Sequence, residues 1–375
     1  MQRYLDYNAT CPPLELALTA QAEAARTAFG NPSSLHGAGR AARRILDDAR
    51  DVVAAHIGAE SGSLVFTSGG TEANNLAISG YCATQKSGHI ITTAIEHPSV
   101  LQPLARLAET GWQVTYLRPS ADGMLAASDV AAAMREDTRL VAVMAANNET
   151  GVLQPVAEIG EICRQRDAVF LIDAVQVLGK AKVSLRDWNA DFVSFSAHKI
   201  GGPRGVGALM MRRGMRIREI APGGGQERKR RSGTENVPAI AGFAAALGQV
   251  DFSALQSLRD AFEEELVAAL PEAVIFGKKA QRTANTSMFC IPGLDGETLL
   301  MQLDLAGFAV ASGSACASGK REPSHVLLAM GARQDQARSS IRVSFGPSNT
   351  QQDATALVAE LARIRQRLRS MAGAA

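Results

Sequence analysis

The sequence predicts an α/β fold, with a mainly parallel sheet covered by helices in a large domain and a smaller α+β domain beside it. Three observations carry that expectation. From Leu64 onward short apolar strands alternate with helical stretches, a rhythm that implies parallel strands joined by crossover helices. After Asn236 the rhythm changes to two successive helical stretches, then scattered strands and a closing helix. The chain has 375 residues, 46% hydrophobic and 20% charged, which is ordinary globular composition at a length that accommodates one large and one smaller domain. Residues 14–250 are expected to form the large domain, and 1–13 with 251–375 the small one.

Taken in order, Arg3 to Thr10 reads as a short strand or extended arm, which the pair Pro12 and Pro13 ends. Leu14 to about Ala28 is helical and Gly30 to Ser34 a loop. Between His36 and Ile57 the residues Ala41, Ile45, Ala49, Val52 and Val53 recur on one side of a helix that should stop at Gly58. Strands follow at Leu64 to Thr67, His89 to Thr93, Trp112 to Tyr116, Leu140 to Met144, Val169 to Asp173 and Phe192 to Ser196. Helices are expected from Thr71, after Pro98 and from Pro155. Beyond Asn236 come helical stretches to about Leu270, a strand near Asn285 to Ile291 and a helix after Asp295. Strands near Ala309 and Ile341 and a helix from Gln351 to Met371 complete the chain.

A formal net charge of +2 gives no global attraction to nucleic acid or membrane. No apolar run reaches the length of a bilayer span and the N-terminus lacks a signal-peptide core, so a cytoplasmic protein is expected. Cys11, Cys82, Cys163, Cys290 and Cys316 are odd in number and share no CxxC spacing, which argues against a disulfide framework and a zinc site. No metal is expected.

The chemistry converges on Lys199, which directly follows the strand ending at Ser196 and precedes Gly201, Gly202, Gly205 and Gly207. A desolvated lysine there acts as a base or forms an imine, and that chemistry wants an aldehyde cofactor. Ser196 and His198 flank it with groups that suit a phosphate, so pyridoxal phosphate is the candidate; a glycine-rich turn with a solvated lysine has the same local sequence. In a parallel sheet the loops after the strands form one ligand-binding edge. Thr67 to Asn75 places Gly69, Gly70 and Thr71 at a helix start, a geometry that serves either a phosphate or a plain N-cap. His97 stands over the same edge, as a ligand contact or a structural hydrogen-bonder. Asp173 ends an apolar strand and must be paired or hydrated; a protonated pyridine nitrogen is one such partner, with Gln176 in reach of the ring hydroxyl.

Eight stretches in order, Tyr4 to Thr10, Gly30 to Ser34, Thr67 to Glu72, Asn147 to Gly151, Asp173 to Gln176, Ser196 to Lys199, Arg231 to Thr234 and Ser312 to Cys316, resemble the class V, fold-type I pyridoxal phosphate enzymes. The likeness covers nearly the whole chain and is strongest to the NifS/IscS-type cysteine desulfurases. It implies that Lys199 binds the cofactor covalently, that His97 stacks on the ring, and that Asp173 and Gln176 face the ring nitrogen and oxygen. The phosphate would be held by Thr71, at the Gly70 turn, with Ser196, His198 and Thr234, the last from the other subunit of a homodimer. Asn148 and Arg342 would hold the substrate carboxylate; Pro347 stands where relatives often have a second arginine.

Cys316 lies between Ala311 and Gly319 in a run of small residues with no apolar anchor, where a thiol is free to travel, whereas Cys82 and Cys290 read as small core hydrophobes. The resemblance makes Cys316 the persulfide-forming residue that takes sulfur from L-cysteine and leaves alanine. It implies service to iron–sulfur or other sulfur-containing cofactor assembly through a sulfur-acceptor protein, left open because the chain closes soon after Met371 without the extension with which housekeeping relatives dock a scaffold. Other class V reactions, transamination, selenocysteine lysis or β-elimination, would use the same cofactor set without needing Cys316. A remote rival is nucleic-acid binding through Arg228 to Arg231, a basic run without aromatic interleaving that reads better as a solvated loop or a dimer contact.

Overall fold

Seven strands of the computed structural model, which describes residues 2–249, 251–312 and 322–373, form one sheet. They are β2 (Leu64–Thr67), β3 (His89–Thr93), β4 (Gln113–Leu117), β5 (Thr138–Met144), β6 (Val169–Asp173), β7 (Phe192–Ser196) and β8 (Gly207–Met211), after a short β1 (Arg3–Tyr4). The spatial order is β2-β8-β7-β6-β5-β3-β4. β3, β4, β5, β6 and β7 are parallel, while β8 runs antiparallel to both β7 and β2. β2 therefore points the same way as β7, and Thr67, Thr93, Met144, Asp173 and Ser196 all end at one edge. The fold class is the one the alternating pattern predicts. The strand expected at Trp112 to Tyr116 sits one residue later, because Trp112 is turned into the core at 6% exposure.

Sequence patterning did not foresee β8, because the glycines from Gly201 to Gly207 read as loop. Gly207 is in fact the first residue of that strand, and the absence of a side chain is what lets it pair: a Cβ there would sit 2.5 Å from the Phe195 carbonyl and 2.6 Å from Gly69 Cα. The helices α1 (Glu15–Thr27), α2 (Gly37–Ile57), α3 (Gly70–Cys82) and α4 (Pro98–Glu109) lie where the apolar periodicity places them. Gly58, at φ +73°, closes α2 in the left-handed conformation expected of a helix-terminating glycine. His97 caps α4, and Pro98 occupies its first turn, where a missing N–H costs nothing.

The rest of the chain builds a separate three-stranded antiparallel sheet, with β10 (Thr286–Cys290) between β9 (Val274–Phe276) and β12 (Ser340–Ser344). β11 (Phe308–Ala309) pairs in parallel with β1. Leu5 and Tyr7 of the N-terminal arm join Phe252, Phe262, Phe289, Phe345 and Leu357 in one buried cluster, while Leu46, Phe66, Phe170 and Phe195 belong to another under the large sheet. Each fully buried side chain of this size stabilises the fold by about 1.5–3 kcal/mol, enough for a few of them to hold the arm. Cys82, Cys163 and Cys290 are free, buried among apolar neighbours, and their thiols are pushed up to about 12, 12 and 11 by that burial. Among the described residues no helix is long and apolar enough to cross a membrane.

The docking of the arm depends on Gly346. A Cβ at that position would lie 1.9 Å from Cζ of Tyr7, so the ring occupies the space a side chain would need. Gly346→Ala is expected to lower stability by about 1–3 kcal/mol, the usual penalty for overpacking, read as a lower urea midpoint with an unchanged m-value. A midpoint equal to wild type would show that Tyr7 does not bear on that backbone.

Candidate active site

The common edge where β2, β3, β5, β6 and β7 end gathers most of the residues singled out by sequence. At one end of it, α3 begins directly against β7. A Cβ on Gly70 would meet Val175 Cγ2 at 2.5 Å, and one on Gly69 would lie 3.7 Å from Ser196 Oγ. Gly70 therefore admits no side chain, and backbone and helix N-terminus form a cradle there, with Thr71 exposed at its rim and Ser196 buried at its floor. His198 hangs beside it, its Nδ1 3.2 Å from Thr10 Oγ1. Burial, with Lys199, Arg204 and Lys180 nearby, draws its pKa down to about 4, so the ring is neutral at ordinary pH.

Asp173 is 6% exposed at the end of β6. Its Oδ2 accepts from Asn74 Nδ2 at 2.8 Å and its Oδ1 from the Val175 N–H at 3.0 Å. Among the described residues no lysine or arginine pairs with it, although a buried carboxylate is costly without a cation. His97 lies over the same edge with an exposed face. Crowding by the protein lowers its pKa, an effect opposed by Asp173 and reinforced by Lys199 and His325.

Lys199 leaves the turn after β7, and its Nζ donates to the carbonyls of Asn8 at 2.6 Å and Ala9 at 3.0 Å. Burial and then Arg342 pull its pKa down to about 8, against Asp6 and Asp173. Gln176 donates from Nε2 to the same Asn8 carbonyl at 3.0 Å, while its Oε1 accepts from Lys180 Nζ at 2.8 Å. Lys180, buried at 6% exposure, also donates to Asn8 Oδ1 at 2.7 Å, with its ammonium 5.3 Å from the centre of the Phe252 ring. Burial, then Lys199 and Arg342, hold its pKa well below the usual lysine value.

Arg342 reaches the site from β12. Its Nη2 pairs with Asp6 Oδ1 at 2.5 Å and its Nη1 donates to the Asn148 carbonyl at 2.9 Å, leaving Nε buried without a partner. The guanidinium is thus fixed in place with donor capacity to spare, which suits a carboxylate ligand. Cys316 lies outside the described residues. Of the described residues around it, Ala311 is backbone-paired to Arg342, and Ser324 Oγ bonds Glu149 Oε2 at 2.5 Å. Burial raises the Glu149 carboxyl to about 7.

Thr234 is exposed and makes no hydrogen bond to Thr71, Ser196 or His198 of its own chain, so the structure does not bring it into the set. Its neighbour Arg231 pairs with Glu72 at 2.8 Å, which hangs the segment beside the first turn of α3. Within the basic run, Arg228 donates to the carbonyls of Ser61 and Gly62, and Arg230 to Gly62, which ties these side chains to the turn before β2.

The edge fits pyridoxal phosphate on three counts: the glycine cradle, the carboxylate that lacks a cation, and the lysine drawn toward neutrality after the neighbouring strand. A cavity of about 480 Å³ is lined by Thr71, His97 and Ser99, and another, of about 520 Å³, lies at the opposite edge around Asp191 and Arg212, away from these groups. Sequence reasoning missed Asn8, Asn74, Ser99, Asp6, Glu149 and Lys180. Asn8, Asp6, Asn74 and Glu149 stand inside stretches already singled out, but polar residues there have no periodicity to mark them. Lys180 carried one signal, a charge closing the apolar run Val177 to Leu178.

Comparison with known proteins places the chain among relatives of one kind. The model of the aminotransferase class-V family matches residues 3–357. The cysteine desulfurase IscS of Dictyoglomus turgidum is 39% identical over 376 residues, covering 98% of this chain and 95% of that protein. A solved structure titled NifS-like protein superposes with a TM-score of 0.90 at 34% identity, over 98% of this chain and all of its own. Another, titled SspA in complex with cysteine, superposes with a TM-score of 0.84 at 31% identity, over 93% of this chain and all of its own.

Lysine is nucleophilic only as the free amine, so a pKa near 8 in place of 10.5 sets the pH at which Lys199 reacts. In the cofactor-free protein, labelling of Lys199 by an amine-reactive reagent, followed by peptide mapping, is expected to rise with a midpoint near 8. Arg342→Met removes a cation that depresses this pKa and should move the midpoint upward. A midpoint at the ordinary lysine value in wild type would show that the site does not desolvate Lys199.

Proposed function

The chain belongs to the class-V aminotransferase family, and we propose that within it the chain is a pyridoxal-phosphate-dependent cysteine desulfurase that converts L-cysteine to L-alanine and keeps the sulfur as a persulfide on Cys316. The observation that carries the reading is a pair of groups at one sheet edge, a buried carboxylate without a cation and a lysine drawn down to about 8 by burial and by Arg342. The desulfurase names of the relatives and the cysteine-bound structural neighbour support it.

Bound pyridoxal phosphate supplies an electron sink for the pair released when the Cα–H bond of the substrate breaks. Lys199 anchors that cofactor and serves as the base for the Cα proton. Asp173 would face the ring nitrogen and supply the negative charge that keeps it protonated. Gln176 has one Nε2 hydrogen engaged by Asn8 and a second to offer the ring oxygen. Thr71, Ser196 and His198 would hold the phosphate in the cradle of Gly69 and Gly70, and Arg342 with Asn148 would take the substrate carboxylate. The Cys316 thiolate attacks the substrate sulfur, so that an S–S bond forms as the Cβ–S bond breaks. The carbon skeleton, with its protons restored, leaves as alanine. Substrate and thiol together account for every atom and electron, and a reductant is needed only to release the sulfur afterwards.

The functional unit in this reading is a homodimer in which Thr234 of each chain reaches the partner's phosphate site. Its support is the exposure of Thr234 and of Phe29 and Leu35, 79% and 90% exposed on either side of the loop from Gly30 to Ser34. The sulfur acceptor is a separate protein that meets the persulfide.

Incubation with L-cysteine and a thiol reductant is expected to yield alanine and sulfide in equal amounts. Cys316→Ala should lose both by orders of magnitude while still showing a cysteine-dependent spectral change, and wild type treated without reductant should gain one sulfur atom on the Cys316 peptide. Near wild-type turnover in the variant would instead identify an eliminating lyase if pyruvate is the product, or a transaminase if mercaptopyruvate is. Mixing Lys199→Ala with Thr234→Ala chains, each impaired alone, should restore activity, since one hybrid site regains both residues. Heterodimers without recovery would rule out sharing.

A further inference from the structure

Behind the sheet edge, one row of hydrogen bonds joins Asp173 to His97 and has a direction fixed by its chemistry. A carboxylate only accepts, so the Asn74 atom 2.8 Å from Asp173 Oδ2 must be the amide nitrogen. The second hydrogen of that same nitrogen points to Ser99 Oγ at 2.9 Å. Ser99 Oγ, already an acceptor, is left to donate to His97 Nδ1 at 2.8 Å. The backbone N–H of Ser99, which only donates, reaches the same Nδ1 at 3.0 Å. Nδ1 therefore receives two donors and has room for no proton of its own. Asn74 is fully buried and Ser99 is 7% exposed, so water does not compete for these bonds. Asn74 Oδ1 is buried without a partner, a cost accepted for the orientation of the other end of the amide.

We propose that Asn74 and Ser99 are positioning residues, through which Asp173 fixes His97 in the tautomer protonated at Nε2, so that His97 meets the cofactor and substrate as a hydrogen-bond donor and not as a base. The inference rests on the reading that ligands bind at this edge. It leaves Lys199 as the base of the site and separates the roles of the two residues. It also joins the charge of Asp173 to His97 through one row of buried hydrogen bonds. The titratable groups around the imidazole are Asp173, Lys199 and His325. None of them can supply a proton acceptor at Nδ1 without displacing Ser99.

The test is a long-range proton–nitrogen correlation spectrum of the histidine side chains of the complete protein, with and without pyridoxal phosphate, in which His97 is assigned by its loss in His97→Gln. Wild-type His97 is expected to show a protonated Nε2 and a bare Nδ1 at neutral pH. A proton on Nδ1, alone or with Nε2, overturns the proposal without recourse to any variant. Ser99→Ala removes one of the two donors that favour the neutral ring, so the His97 pKa should rise by up to about one unit, or tenfold in proton affinity. Ser99→Thr should restore it. Asn74→Ala frees the Ser99 hydroxyl and should raise the pKa as well, with the double variant no higher than the larger single effect. Full additivity, or a His97 titration unmoved in both, would reduce these residues to packing. Alanine release by wild type is measured beside the spectra: its failure with the expected tautomer would remove the desulfurase reading alone, and its success with the wrong tautomer would remove this proposal alone.

Discussion

Asn8 is the group on which the site depends. It lies in the N-terminal arm, 2% exposed, and every polar atom it has is engaged. Its backbone N–H donates to Ser344 Oγ and its Nδ2 to Thr286 Oγ1 and the Asn148 carbonyl. Its Oδ1 accepts from Lys180 and Asn285, and its backbone carbonyl from Lys199 and Gln176. This one residue thereby fixes residues from the turn after β6, from the turn after β7 and from the antiparallel sheet with respect to each other. The directions are forced, since ammonium groups only donate, so the amides of Asn8 and Gln176 cannot flip without leaving a buried donor unmet. The apolar anchoring of Leu5 and Tyr7 holds the arm; Asn8 turns that anchoring into geometry.

The same neighbourhood explains the electrostatics. Lys180, Lys199 and Arg342 are buried close together, and each of the two lysines is lowered by its cationic neighbours as well as by burial. Asp6 answers Arg342 directly, while Asp173 and Glu149 stand within reach without pairing to either lysine. The cations thus crowd one another around Arg342, while Asp173 stands without a cation of its own. A ligand with a negative group near Arg342 and a positive one near Asp173 would relieve both.

Fixing both ends of the long connection that includes Cys316 follows the same plan. Ala311 is paired to the backbone of Arg342 and Ser324 to Glu149, and His325 Nε2 lies 3.0 Å from the carbonyl of Glu96, next to His97. The described residues that flank this segment are thus bonded to Arg342, Glu149 and the carbonyl beside His97.

Much of this was legible in the residues. Alternation of apolar strands with helical stretches determined the parallel sheet, because a strand buried on both faces has to be apolar throughout, and each strand end then named its own edge residue: Thr67, His97 beyond Thr93, Asp173, Ser196. Lys199 and Asp173 announced themselves as charges at the ends of apolar runs. What tertiary structure alone decided was of two kinds. β8 was hidden because Gly207 pairs by lacking a side chain, and a glycine in sequence does not say whether it serves a loop or a close approach. The hydrogen-bond partners of Asn8, Asn74, Ser99 and Lys180 were hidden because polar contacts between residues far apart in the chain have no period. Asn8 and Asn285 meet only after the arm has crossed to the second sheet, and Asn74 reaches Asp173 only once α3 has packed against β6. Apolar pattern is a local property that every residue of an element repeats; the direction of a hydrogen bond belongs to one pair of atoms, and only folding brings the pair together.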